Sequence, residues 1–224
     1  MTARVFFLIG LTLAMPVCIA AADSPAKLKP ASTPAGYIAR LLINEVPFPG
    51  ERGWQSEEDT KAAMLSVLWA LHSRIAFIPA GYTQEQVAAI RTKDIIDVIT
   101  AGGAKGQCDG GYRDRKGHFK AVDRVHHRVD NLVIIAGKGT PGKFARLLNY
   151  AQGLADAYVK GGIEEADRFA GIRCIGSVRV TGHAYAGMSD RDYYHPGGTF
   201  VKITDDYDGS LGGNRFYTLK ELIP

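Results

Sequence analysis

Cysteine is nearly missing from this chain: three occur in 224 residues, and Cys18 falls within the first 22, leaving Cys108 and Cys174 for the remainder. No His-Glu-x-x-His or comparable spacing is present, which removes the usual helical signature of a metal site. There is no Gly-x-Ser-x-Gly elbow, so a serine nucleophile has no support either. After the first 22 residues no apolar stretch approaches membrane-spanning length. The basic residues are dispersed apart from Arg113, Arg115, Lys116, Lys120 and Arg124, and aromatics are not interleaved with them, so no nucleic-acid partner is expected. Internal repeats are also lacking.

What is present begins with an exported-protein signature. Arg4, the apolar run Val5 to Ile19 and the small residues Ala20-Ala21-Ala22 read as a secretory signal peptide over 1–22, cleaved before Asp23. Val17 ahead of Cys18 is too bulky for the usual lipid-attachment site, so no stable membrane anchor is expected after cleavage. Losing Arg4 and no acid lowers the formal charge from +4 to +3. The expected location is the periplasm or the medium. In an oxidising compartment Cys108 and Cys174 are expected to form a disulfide, closing a loop of roughly 65 residues and contributing about 4 kcal/mol.

Residues 23–35 are rich in proline and small side chains and read as a linker. Residues 36–224 are then expected to form a single domain of α+β class, mainly helical with a small antiparallel sheet near the C-terminus. Ser56 with Asp59 and Thr83 with Gln86 mark helix starts, the second helix running through Ile90. Asp94 to Thr100 forms a short helix before Gly102-Gly103, and Gly106 to Tyr112 reads as loop. A helix is expected from about Ala121. Thr140-Pro141 opens another that stops at Gly161-Gly162, followed by a short acidic helix from Ile163 to Phe169. Ile175 to Thr181 alternates like a strand, and Thr199 to Thr204 and Arg215 to Thr218 read as two strands joined by a turn-rich segment.

Glu45 is the residue placed most unusually. It closes a helical apolar run containing Ile38, Leu41 and Leu42 and precedes the chain-breaking Pro47-Phe48-Pro49-Gly50. A carboxylate there faces the negative end of its helix and apolar neighbours, both of which favour the protonated form. A protonated carboxylic acid is what a glycosidase uses to protonate a leaving oxygen. Two other motifs point elsewhere and fail. Gly137-Lys138-Gly139-Thr140-Pro141-Gly142-Lys143 has P-loop spacing, but Phe144 stands where Ser or Thr would hold magnesium and Pro141 removes an amide, so no nucleotide is expected. His126 and His127 are adjacent and diverge on a helix, and with His183 and His195 they show no ligand spacing, so neither metal nor cofactor is expected.

Several blocks taken in order resemble the cell wall hydrolase family of spore-cortex-lytic enzymes, the SleB-like catalytic domain. They are Leu41-Leu42-Ile43-Asn44-Glu45, Gly50-Glu51, the helix Ala62 to Arg74-Ile75, Ile95-Ile96-Asp97-Val98-Ile99 and Gly106-Gln107-Cys108. Near the end stand Tyr193-Tyr194-His195-Pro196 and Leu211-Gly212-Gly213-Asn214-Arg215-Phe216-Tyr217. The likeness covers about residues 36–112 and 183–218. His72-Ser73-Arg74, Cys108 and His195 depart from the family pattern, and about 113–181 is a helical insertion beyond it.

The resemblance implies a lysozyme-like fold and cleavage of peptidoglycan glycan strands, as a lytic transglycosylase or muramidase, with Glu45 as general acid and then base. It further implies that Glu51, Gln107, Tyr112, Tyr194 and Asn214 bind the sugar, and that no cofactor is needed. Glu51, Asp97 and Asp109 are the candidates for a second carboxylate, and Trp54 or Tyr112 for stacking on a ring. The alternative is a non-catalytic glycan-binding or envelope assembly protein on the same fold.

Overall fold

A computed structural model describes residues 25–138, 142–174, 184–187, 194–195, 198–203 and 209–220, with the backbone alone for 184–187, 194–195 and 198–200. Helices α1 (Pro34–Glu45), α2 (Glu57–Ala76), α3 (Gln84–Ala88) and α4 (Ile95–Thr100) come first. A 3-10 turn (Gly103–Lys105) and a hairpin of β1 (Gly111–Arg113) and β2 (Phe119–Ala121) follow. Then come α5 (Asp123–Ala136) and α6 (Lys143–Ala170), and finally β3 (Ala184–Gly187), β4 (Tyr194–His195), β5 (Gly198–Lys202), β6 (Ser210–Leu211) and β7 (Asn214–Leu219). The class is α+β, helices with two small antiparallel sheets. The larger sheet runs β3-β7-β5-β4, with β6 folding back on β7. The expected β5–β7 pair is present, Val201 opposite Thr218.

α2 forms the centre. Its residues Ala62 to Leu71 are all buried, so it is enclosed by protein on every side rather than presenting one apolar stripe. Ser56 caps it by accepting from the Asp59 N–H at 3.0 Å, and Glu57, Glu58 and Asp59 face its positive end. Thr83 and Gln86 form a reciprocal capping box. The helix they open ends at Ala88 instead of reaching Ile90, because Ala89 turns into left-handed backbone at φ 58°.

The segment read as an insertion supplies much of the core. α6 packs along α1 and α2 through Leu147, Leu148, Ala151, Leu154 and Ala155, all fully buried. Near its end the helix is broken: Gly161 and Gly162 leave helical geometry, Gly162 at φ 73° and ψ −160°. The piece beyond is anchored by buried Ile163 and Ala166 and by the Trp69 indole, which donates to Asp167 at 3.0 Å. The glycine break and the short piece beyond it match expectation, whereas the long piece begins at Lys143 with Gly142 as its N-cap, two residues later than a start at Pro141.

Three readings need correction. The supposed linker is docked on α6: the Lys27 and Lys29 N–H groups donate to Asn149 Oδ1 and Gln152 Oε1 at 2.9 and 2.8 Å, and Lys29 Nζ reaches Asp156. Gly36 lets this strap close, since a Cβ there would lie 2.1 Å from the Pro30 carbonyl oxygen. Second, part of the loop expected up to Tyr112 is β1, a strand too short and too charged to show alternation. Third, Cys108 and Cys174 are buried as separate thiols and not as a disulfide. Cys108 acts on Tyr37 of α1 and Cys174 on Tyr150 of α6, two different neighbourhoods. The expectations for Thr140-Pro141, for Ile175 to Thr181 and for the signal peptide fall outside the described residues. Among the described residues no helix is long and apolar enough to cross a membrane.

Candidate active site

The last turn of α1 opens into a cleft of about 340 Å³ lined by Asn44, Glu45, Glu51, Arg52, Arg128 and Asn214, among others. Three of the residues expected from sequence, Glu45, Glu51 and Asn214, are therefore brought together from α1, the loop after it and the start of β7.

Glu45 sits where a helix C-terminus would otherwise leave carbonyls unsatisfied. Those carbonyls are taken by side chains from distant parts of the chain. Arg128 of α5 donates to Ile43 O at 2.6 Å and to Val46 O at 2.9 Å, and Asn214 Nδ2 donates to Glu45 O at 2.7 Å. Asn214 is only 2% exposed. Its turn reaches this position because Gly212 and Gly213, at φ 52° and 76°, leave no side chain against Ala63 and Pro47, where a Cβ would come within 2.6 and 2.7 Å.

Glu45 is largely enclosed by protein, with partial exposure where it lines the cleft. Burial pushes its pKa up from 4.5 to about 7. The Asn44 amide opposes this through a long 3.5 Å contact, and Arg124 and Arg128 oppose it from farther off, while Asp109 adds to the rise. Removal from water outweighs all of these.

Glu51, six residues on, is arranged differently. Both its oxygens are occupied: Arg128 reaches Oε2 at 2.5 Å and Oε1 at 3.1 Å, and the Phe48 N–H donates to Oε2 at 2.7 Å. The Arg128 guanidinium also lies over the Phe48 ring, 5.7 Å from its centre. Arg128 was not among the residues expected from sequence, since its partners lie 77 to 85 residues away.

The other expected residues are employed elsewhere. Gln107 Oε1 accepts from Arg74 at 2.5 Å, fixing the end of α2. Tyr112 pairs with Lys120 in the hairpin, and its backbone N–H faces the Tyr37 hydroxyl, which donates to Lys120 O at 2.7 Å. Neither lines the cleft. Tyr194 is paired with Thr199 through its backbone, and its side chain lies outside the described residues. Asp97 is held below the usual carboxylate range: burial raises it, but hydrogen bonds from Thr92 and Arg113 outweigh that. Asp109 is exposed and ion-paired to Arg124. The Trp54 ring is covered by Lys143, whose Nζ is 4.7 Å from its centre, and Trp69 is core. Among the described residues no group of three His, Cys, Asp or Glu is placed to hold a metal ion. Comparison with protein-family models, with curated proteins and with solved structures finds no match to this chain.

Proposed function

We propose that this chain is an exported lytic transglycosylase with a lysozyme-like arrangement, cleaving peptidoglycan glycan strands with Glu45 as its acid and base. The observation that supports this most is a largely buried acid with a pKa raised to about 7 among the residues that line a cleft. Such a group is protonated in about half of the molecules at pH 7, against almost none for an ordinary glutamate, and can deliver its proton where charge develops.

In this reading Glu45 protonates the glycosidic oxygen between muramic acid and glucosamine as that bond breaks. The resulting Glu45 carboxylate then accepts the proton of the muramic 6-hydroxyl, whose oxygen attacks the anomeric carbon and closes an anhydro ring. The acid is regenerated and no water is consumed. A hydrolase would need a second carboxylate to activate water or attack the sugar. Among the described residues Glu51 is the other acid lining this cleft, and Arg128 and the Phe48 amide already engage it. That commitment favours an acid working alone. Arg128 and Asn214 position Glu45 by fixing the helix end beneath it.

Mass spectrometry of products from purified sacculi tests the proposal. Anhydro ends are expected from the native chain and none from Glu45→Gln. Reducing ends would instead show that water is the nucleophile. Pull-down by sacculi with no released muropeptide would point to a non-catalytic envelope binder.

A further inference from the structure

A second groove, of about 430 Å³, adjoins the Glu45 cleft, the two meeting at the Glu51–Arg128 pair that lines both. Its wall is α5. Arg124, Arg128, Asn131 and Ile135 are spaced by four, three and four residues, which places them on one helix face, with buried Leu132 beside them. Asn131 is exposed and Ile135 is 44% exposed. This helix lies outside every block that carries the family resemblance.

The charges along this wall are already matched. Arg128 is paired with Glu51 and Arg124 with Asp109. A polyanion would draw its affinity from cations still available to it. A neutral amino-sugar polymer asks for something else, a polar group beside an apolar surface on which the C–H face of a ring can rest. Asn131 next to Leu132 and Ile135 provides that pairing.

We propose that this face of α5 forms outer subsites that bind the glycan strand beyond the sugars flanking Glu45. The identity of the occupant rests on the function proposed above, but the surface is testable apart from catalysis. N-acetylglucosamine oligomers, which have the amino-sugar rings of the strand and no carboxylate, are titrated into Glu45→Gln protein, alone and with Asn131→Ala plus Ile135→Ser. The added substitutions are expected to weaken binding about tenfold, the size that loss of small polar and apolar contacts produces. Affinity should change little between low and high salt. Unaltered affinity in the variant overturns the proposal, and so does a steep fall with salt, which would mark a polyanion site.

In the catalytically intact chain, kcat/KM on glycan fragments should rise with fragment length. Asn131→Ala with Ile135→Ser should flatten that rise while matching the parent on the shortest fragment cleaved. An equal loss at every length overturns the subsite assignment. Absence of cleavage by the parent chain would defeat the catalytic reading, and the binding titration would still decide the fate of the α5 face.

Discussion

The floor and the rim of the cleft each carry a glutamate, and the two are treated in opposite ways. At the floor, Glu45 is largely withdrawn from water with no cation in contact among the described residues, and its carboxyl is pushed up to about 7. At the rim, Glu51 is gripped by Arg128 and a backbone amide. Five residues of sequence lie between them, and one cleft contains both. The difference shows that proximity to a site does not assign a role; the hydrogen-bonding capacity a side chain has left over does. Glu45 retains most of that capacity, whereas three of the roughly four acceptor sites of Glu51 are taken.

The sharpest way to break this contrast is Glu45→Gln, which removes the transferable proton and keeps the shape. A loss of at least about a thousandfold in muropeptide release is expected, as befits a general acid. In the parent chain, release should decline as pH rises past about 7, because the floor acid then loses its proton. Full activity in the variant would eliminate Glu45 as the acid.

Next in size is Arg128→Met. It strands Glu51 and frees the Ile43 and Val46 carbonyls. A fall of about 3 kcal/mol in unfolding free energy is expected from those losses. Urea midpoints measure it, and a change below a few tenths would mean the rim pair contributes nothing. Adding Glu51→Gln should recover part of the loss, since no carboxylate is then left without its partner.

A pH dependence of stability separates the two glutamates more finely. Because the folded chain raises Glu45 from 4.5 to about 7, it holds a proton between those values that the unfolded chain has released. Stability therefore declines as pH rises through that window and is regained below it. Glu45→Gln should match the parent below pH 4.5 and exceed it above pH 7 by about 2 kcal/mol, reduced for the partial exposure of the residue. Parallel stability curves would show that burial is not what shifts the acid. The smallest effect is expected from Asn214→Ala, about 1 kcal/mol for one hydrogen bond to a helix-end carbonyl. Thermal melts would detect it, and an unchanged melting temperature would remove Asn214 from the support of α1.

Local chemistry was readable from the chain and distant chemistry was not. Ser56, Thr83 and Asp94 announce their helices because a cap and its N–H lie within three residues. Gly161-Gly162 marks its break, and β5 and β7 reveal themselves by composition. Glu45 stood out because a helix end is a local event. Arg128 did not, since its partners lie 77 to 85 residues away, and nothing near it in sequence distinguishes it from any other exposed arginine. The strap over α6 was hidden for the same reason: its partners lie 122 to 127 residues distant. Cys108 and Cys174 misled because a pairing inferred from scarcity takes no account of where each thiol is buried.

The glycine break in α6 has a consequence for how the molecule opens. A continuous helix would shed its amide protons with one common protection along its buried face, but two pieces joined by non-helical backbone are free to unfold one at a time. The long piece packs against α1 and α2, and the short one is held by Ile163, Ala166, the Trp69 to Asp167 bond and Phe169 against Tyr150. Deuterium should therefore enter Ile163 to Ala170 well before it enters Lys143 to Lys160, making one helix in outline two units in exchange.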